Sequence, residues 1–267
     1  MRLPAWLAHH LAALRALLVL TVILGLAYPL LFVGAGKIPG LSAKAGGSLV
    51  TVGGKAVGSS LIGQSFGDDP RYFQSRPSAG AYDPTATGAS NLGPEDVVDT
   101  PDRQSLLTQV CARGLAIGKR EGVDGSRPFC TADGVGAVLA VFHRDGFTGP
   151  VTRVVSVNQT GAPFLTTYQG VTVEPAEAGE DYRALGAVIT PIRGNAPDHP
   201  VVPADAVTAS ASGLDPGISS AYADLQAPRV ARERGVTLDR VHQLIGRNTE
   251  GGVVNVLKLN VALDGGN

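Results

Sequence analysis

The sequence predicts an α+β fold, in which one N-terminal transmembrane helix is followed by a soluble domain with a β-rich middle. Three observations carry this reading. Residues 16–36 (ALLVLTVILGLAYPLLFVGAG) form one uninterrupted apolar run, and nothing comparable follows it. Between residues 104 and 198 the apolar residues fall into short runs bounded by Gly and Pro, as strands do. Over residues 199–267 they recur at helical spacing.

At about 1.5 Å per helical residue, the apolar run covers the roughly 30 Å hydrocarbon layer of a bilayer. A single span encloses no transport pathway, so the remainder works as a soluble domain held at a membrane surface. The competing reading is a cleaved secretory signal, because Arg2 and Arg15 precede the run and Ala43-Lys44-Ala45 offers a small-x-small site. The run is longer than a signal core of about 7 to 15 residues, and Trp6 is placed for the interface, so an uncleaved anchor is favoured. Pro29 is tolerated in a membrane helix and marks a kink or a packing face. Arg2 and Arg15 on one side nearly balance Lys37 and Lys44 on the other, so charge leaves the orientation undecided.

Residues 1–36 therefore form the anchoring segment, and 37–60, rich in Gly, Ser and Ala, a juxtamembrane connection with a β-like patch at 49–52. Residues 61–103 are dominated by turn formers, with Tyr72, Phe73 and Tyr82 pinning loops to a core. Together with 199–267 they make up the main soluble domain, and 104–198 reads as a β-rich insertion with strands at 136–143, 151–157 and 164–173. Cys111 and Cys130 lie inside it. Joined on an extracytoplasmic domain, they would close a loop of roughly 20 residues and stabilise by about 3 kcal/mol; the alternative is two buried free thiols. With His143 as the nearby imidazole, a tetrahedral zinc site stays incomplete. Towards the C-terminus Ser219 caps a short helix carrying Tyr222 and Leu225, Pro228 opens a second that ends at Gly235, and Thr237 caps a third. Leu238, Val241, Leu244 and Ile245 mark that third helix, which Gly246 ends. Residues 256–263 alternate apolar and polar, which predicts a closing strand.

Catalytic signals are sparse. Gly63-Gln64-Ser65-Phe66-Gly67 matches G-x-S-x-G, but that elbow needs a strand before it and a helix after it, and Gly67-Asp68-Asp69-Pro70 is a turn sequence. A membrane-tethered extracytoplasmic serine hydrolase is one alternative function, and a stand-alone binding module is another. His9 and His10 precede the apolar run, while His143, His199 and His242 stand without a neighbouring motif and read as solvated or structural. There is no G-x-x-x-x-G-K-[ST] loop and no Asp-Lys-Thr-Gly sequence, so the chain is not itself an ATPase. A net charge of −1 with scattered Lys and Arg argues against nucleic acid as a partner. Asn158-Gln159-Thr160 is a formal glycosylation acceptor.

The polar loop motifs are more specific. Gly63-Gln64-x-Phe66, Pro70-x-Tyr72-Phe73, Arg76-Pro77-Ser78-Ala79, Tyr82-x-Pro84 and Ser90-Asn91-Leu92-Gly93-Pro94 occur in this order. A second block holds Val207-Thr208-Ala209-Ser210, Ser212-Gly213-Leu214-Asp215-Pro216, Gln226, Arg229-Val230-Ala231, Thr249-Glu250 and Val254-Asn255-Val256-Leu257. Together with the single span, these blocks resemble the C subunit of the Kdp-type potassium-transporting P-type ATPase. The resemblance covers roughly 1–100 and 201–263. Departures are Ala211 where the family pattern has Gly, Gly217 where it has His, and a middle region longer than the usual connection.

The resemblance implies a non-catalytic, single-pass subunit of the plasma membrane, its soluble domain extracytoplasmic. It further implies assembly with a channel-like potassium-binding subunit and an ATP-hydrolysing P-type subunit, in a pump that the chain stabilises and whose ATP use it promotes. The chain has no cofactor of its own on this reading, and ATP enters through the hydrolysing partner. The candidate partner-binding residues are Gln64, Tyr72, Phe73, Arg76, Asn91 and Asp215, with no catalytic residue and no metal ligand. Arg76 precedes a proline, which favours an extended backbone and a guanidinium turned outward to a partner. Asn91-Leu92-Gly93-Pro94 and Leu214-Asp215-Pro216-Gly217 are turn formers, and the alternative is that all six residues simply define the fold.

Overall fold

The computed structural model describes residues 4–159 and 161–265, in two compact units, 4–61 and 62–265. Arg2 and Thr160, invoked above for orientation and glycosylation, lie outside the described residues.

In the first unit, α1 (Ala5–Val22), a π-helical turn (Ile23–Ala27) and α2 (Tyr28–Ala35) run on as one helix. Its 31 residues are long and apolar enough to cross a membrane. Pro29 explains the π turn. It has no N–H to donate, and the Tyr28 N–H bonds back to Ile23, five residues earlier, so the ladder slips by one residue just before the ring. A short α3 (Ser42–Ala45) leads to the hairpin of β1 (Leu49–Val52) and β2 (Lys55–Ser59), turned by Gly53 and Gly54.

The second unit begins with forty-odd irregular residues and then α4 (Leu106–Glu121), a helix the sequence reading missed. Ser105 caps it by accepting the Thr108 N–H. A five-stranded sheet follows, formed by β3 (Val138–Asp145), β4 (Thr148–Ser156), β5 (Thr167–Tyr168), β6 (Val171–Pro175) and β7 (Val188–Pro191) in the order β5-β6-β4-β3-β7. All pairings are antiparallel except β4 with β6. The single strand expected at 164–173 is instead the β5–β6 hairpin. Gln169 and Gly170 both take positive φ, as a two-residue turn requires. Leu139, Val141, Val154 and Val173 pack on one face, and Ala140, Val155, Tyr182 and Ala187 on the other. Covered on both faces, β3 reads in sequence as a continuous apolar run.

The chain returns through α5 (Ala204–Val207), β8 (Gly217–Ser219), α6 (Ser220–Arg234), α7 (Leu238–Arg247), β9 (Thr249–Glu250), β10 (Val253–Asn255) and α8 (Val256–Leu263). Strands β8, β10 and β9 form a small antiparallel sheet. The main core joins Phe73, Ile117, Val207, Tyr222, Val230 and Leu259.

Two expectations are corrected here. Residues 256–263 are α8, not a strand: Asn255 accepts the Lys258 N–H as a cap, and Val256, Leu259 and Asn260 share the buried face at helical spacing. Pro228 does not open a new helix but sits inside α6, which runs unbroken from the Ser219 cap to Gly235. α7 also continues one residue past Gly246.

Candidate functional site

The irregular segment 62–93 has almost no regular structure, so its buried N–H and C=O groups need partners from elsewhere. They find them in the C-terminal elements. Asn260 on α8 accepts the Phe73 N–H at 2.9 Å and donates to the Phe73 carbonyl at 3.0 Å. Gln226 on α6 does the same for Gln74, at 2.7 and 3.2 Å. Two buried carboxamides thus take the place of a neighbouring strand.

Arg229 is the hub beside them. It donates to both carboxylate oxygens of Glu121 at 3.0 Å, to the Tyr72 carbonyl at 3.1 Å, to Gln226 Oε1 at 3.0 Å and to the Pro70 carbonyl. Its side chain and that of Glu121 are only 3% and 2% exposed, so this ion pair is essentially out of water. Burial pushes the Glu121 carboxyl above its ordinary range, opposed by the attraction of Arg229. At the outer edge, Arg234 lies over the Tyr72 ring at 4.7 Å and pairs with Asp264, to which the Tyr72 hydroxyl also donates.

Five of the six candidate residues belong to this seam between 62–93 and the C-terminal elements. Gln64 is half-buried and its carbonyl accepts the Ser75 hydroxyl. Gly63 beside it donates to the Leu214 carbonyl at 2.8 Å, and a Cβ there would lie 2.3 Å from the Asp215 carbonyl oxygen, so only glycine fits this approach. Phe73 is fully buried, and Tyr72 is pinned as described. Arg76 turns inward, contrary to the outward orientation expected of it. Its Nη1 donates to Asp215 at 2.9 Å and its Nη2 reaches the Thr208 carbonyl, while Nε is buried without a partner. The carboxylate and the carbonyl it binds both belong to its own chain. Asn91 lies apart, at positive φ, on the rim of a cavity of about 780 Å³ shared with Asp99 and Tyr182.

Ser65 occupies a turn, where its hydroxyl accepts the Gly67 N–H, without the strand and helix that a nucleophile elbow requires. Cys111 and Cys130 are joined as a disulfide across 19 residues, tying α4 to the loop before the five-stranded sheet. Among the described residues no group of three or more His, Cys, Asp or Glu could hold a metal ion. Sequence reasoning missed Glu121, Gln226, Arg229 and Asn260 as a working set. The motif blocks hold Gln226 and Arg229, but what they serve, in Gln74, Tyr72 and Glu121, lies more than a hundred residues away, as does the Phe73 backbone that Asn260 serves.

A second cavity of about 330 Å³ opens where 65–82, α4, α5 and α6 meet, with Arg76, Arg113, Arg120, Tyr82 and Tyr222 on its wall. Burial holds the Tyr82 and Tyr222 hydroxyls protonated well beyond their ordinary range.

The family model for KdpC, described as "K+-transporting ATPase, c chain", matches residues 10–116 and 176–265, which takes in the long helix and both sides of the seam. The chain belongs to the KdpC family. A potassium-transporting ATPase KdpC subunit of Polaromonas naphthalenivorans is 35% identical over 263 residues, covering 94% of this chain and 92% of that protein. One from Sorangium cellulosum is 36% identical over 270 residues (97% and 98%), and one from Streptomyces coelicolor 34% over 268 (94% and 90%). As a KdpC-family chain the protein is an accessory subunit of a potassium uptake pump. The stretch the family model leaves unmatched, 117–175, holds the end of α4 and strands β3 to β6. α4 itself packs with the KdpC core through Ile117 and Glu121.

Proposed function

We propose that this chain is the non-catalytic subunit that stabilises the pump and raises ATP use by its hydrolysing partner. The helix Ala5–Ala35 anchors it in the plasma membrane, and residues 62–265 lie on the extracytoplasmic side. The observation that carries the proposal is the overlap of two maps. The residues matched by the KdpC model include most of the long helix and all of the seam except Glu121, and the seam is built to hold a non-repetitive segment rigid. A stiff loop surface of this kind suits docking, because little conformational entropy is lost when a partner binds. Gln64, Tyr72, Phe73, Arg76 and Asp215 act in it by shaping the surface from beneath, and Asn91 stands at its far end. The disulfide supports an oxidising compartment for this unit. On that side the chain cannot touch cytoplasmic ATP, so any effect on ATP use is a coupling free energy passed through the partners, the potassium-binding and the ATP-hydrolysing subunits. Strands β3 to β6 are an insertion that the shared function does not need.

Affinity purification of the tagged chain from potassium-limited cells tests this. The two large subunits are expected with it, and potassium-stimulated ATP hydrolysis should lose apparent ATP affinity when the chain is omitted. Recovery of the chain alone from membranes that contain both large subunits would refute it.

A further inference from the structure

The 330 Å³ cavity carries one charge that no carboxylate among the described residues answers within ion-pair distance. Of the three guanidinium groups on its wall, Arg76 is matched by Asp215 at 2.9 Å and Arg120 by Asp68 at 2.9 Å. Arg113 bonds the Val207 carbonyl and Gln109 Oε1, both neutral, and among the described residues it has no carboxylate partner. Of the three, Arg113 alone has no carboxylate within ion-pair distance among the described residues. Burial lowers the Arg113 pKa, the mark of a cation held partly out of water without a counter-ion.

A second observation points the same way. Tyr222 is only 3% exposed and lines the cavity, yet its hydroxyl has no hydrogen-bond partner among the described residues. The hydroxyl keeps access to solvent, so it is free to donate to an acceptor that enters the cavity. Phe66, Pro77, Ala116 and Ile117 supply an apolar stretch of the wall that suits an aliphatic stem, beside the polar Ser65, Gln74, Ser75 and Ser78.

We propose that this pocket receives one carboxylate side chain, an Asp or Glu on a loop of a partner subunit, which pairs with Arg113 and accepts from the Tyr222 hydroxyl. A carboxylate fits better than phosphate because it brings one negative charge to one open positive charge, whereas phosphate at neutral pH carries closer to two. The apolar stem of an acidic side chain also uses the wall that a free inorganic ion would leave empty. The proposal rests on the reading of the chain as a pump subunit, and its test uses the chain alone, so the two can fail separately.

The full chain in detergent micelles, isotopically labelled at arginine side chains, is titrated with N-acetyl-glutamate methylamide, its glutamine counterpart and inorganic phosphate. The expected result is a saturating shift of the Arg113 Nε–H signal at millimolar glutamate, none with glutamine, and at least tenfold weaker binding in Arg113→Gln, whose amide can still donate to the Val207 carbonyl. Tyr222→Phe, which removes only the idle hydroxyl, should weaken binding several-fold with an unchanged thermal midpoint, and it decides the matter if Arg113→Gln does not fold. Equal responses to glutamate and glutamine, or full affinity in the folded variants, overturn the proposal. Tighter binding of phosphate than of glutamate overturns the assignment to a partner side chain and gives the pocket to a free oxyanion.

Discussion

Replacing Arg229 by Met removes the hub of the seam while keeping much of its volume. Glu121 is then left 2% exposed without its ion-pair partner, with only the more distant Arg120 and Arg232 to favour its charge, and the Pro70 and Tyr72 carbonyls lose their donor. Breaking a buried pair from one side costs about 3 to 5 kcal/mol, which for a domain of this size lowers the midpoint of thermal unfolding by roughly 6 to 20 °C. The pH dependence identifies the cause. Burial raises the Glu121 pKa in the folded chain above its unfolded value. Between those two values the folded state holds the proton more tightly, so stability falls as pH rises through the window, and the penalty is absent below the unfolded value. Without Arg229 the folded pKa climbs further and the window widens upward. The deficit of Arg229→Met relative to the natural chain should therefore be largest at neutral pH and shrink towards pH 4.5. In the double variant Arg229→Met, Glu121→Leu the charge is gone, and the deficit should fall to the one or two orphaned carbonyls, about 1 to 3 kcal/mol. Thermal unfolding of the three variants in detergent across pH 4.5 to 7.5 measures this. A deficit below about 1 kcal/mol, or one independent of pH, would falsify the claim that the pair is buried and coupled.

Reduction of the Cys111–Cys130 bridge, or its replacement by two alanines, should cost about 3 kcal/mol, since it closes a loop across 19 residues; an unfolding midpoint unmoved by dithiothreitol would show the bridge to be irrelevant. Leu24→Arg, at the middle of the long helix, should raise the insertion free energy by about 2.5 to 3.5 kcal/mol and release the chain on carbonate extraction, so retention in the membrane pellet would count against the anchor. Val138 and Pro191 are directly opposed in the β3–β7 pairing, so residues 139–190 can be replaced by a short turn without moving the flanking chain. Such a trimmed chain should fold and still co-purify with the pump, and loss of assembly by a folded trimmed chain would place the docking surface on the sheet.

What was legible in the sequence was local. The apolar run, the β1 patch, and the caps at Ser219, Gly235 and Thr237 each depend on neighbours within four residues, and each stands where expected. α4 was hidden by its glycines. Gly114 and Gly118 depress helix propensity, but both are required, because a Cβ on either would meet the backbone of Gly125 at 2.9 or 2.6 Å. α8 was misread because Leu257, Leu259, Val261 and Leu263 alternate, while the overlapping helical set Val256, Leu259, Asn260 and Leu263 contains a polar residue. Asn260 belongs to the buried face only because it serves the backbone of Phe73, a contact 187 residues distant. Pro228 reads as a helix start because its ring fits a first turn, and the packing of α6 overrides that preference. The motif blocks were found by their order, but the direction of Arg76 was not, since its acceptor Asp215 lies 139 residues away.

The pairing of Phe73 with Asn260 also sets a timetable for biosynthesis. A chain made from its N-terminus releases 62–93 early, but the carboxamide that satisfies Phe73 arrives 187 residues later, roughly 10 to 40 s at about 5 to 20 residues per second. Through that interval the Phe73 N–H and carbonyl lack their native partner and must stay hydrated or be held by a chaperone. α8 is therefore the helix that closes the domain, and a nascent chain stalled before residue 256 lacks its latch.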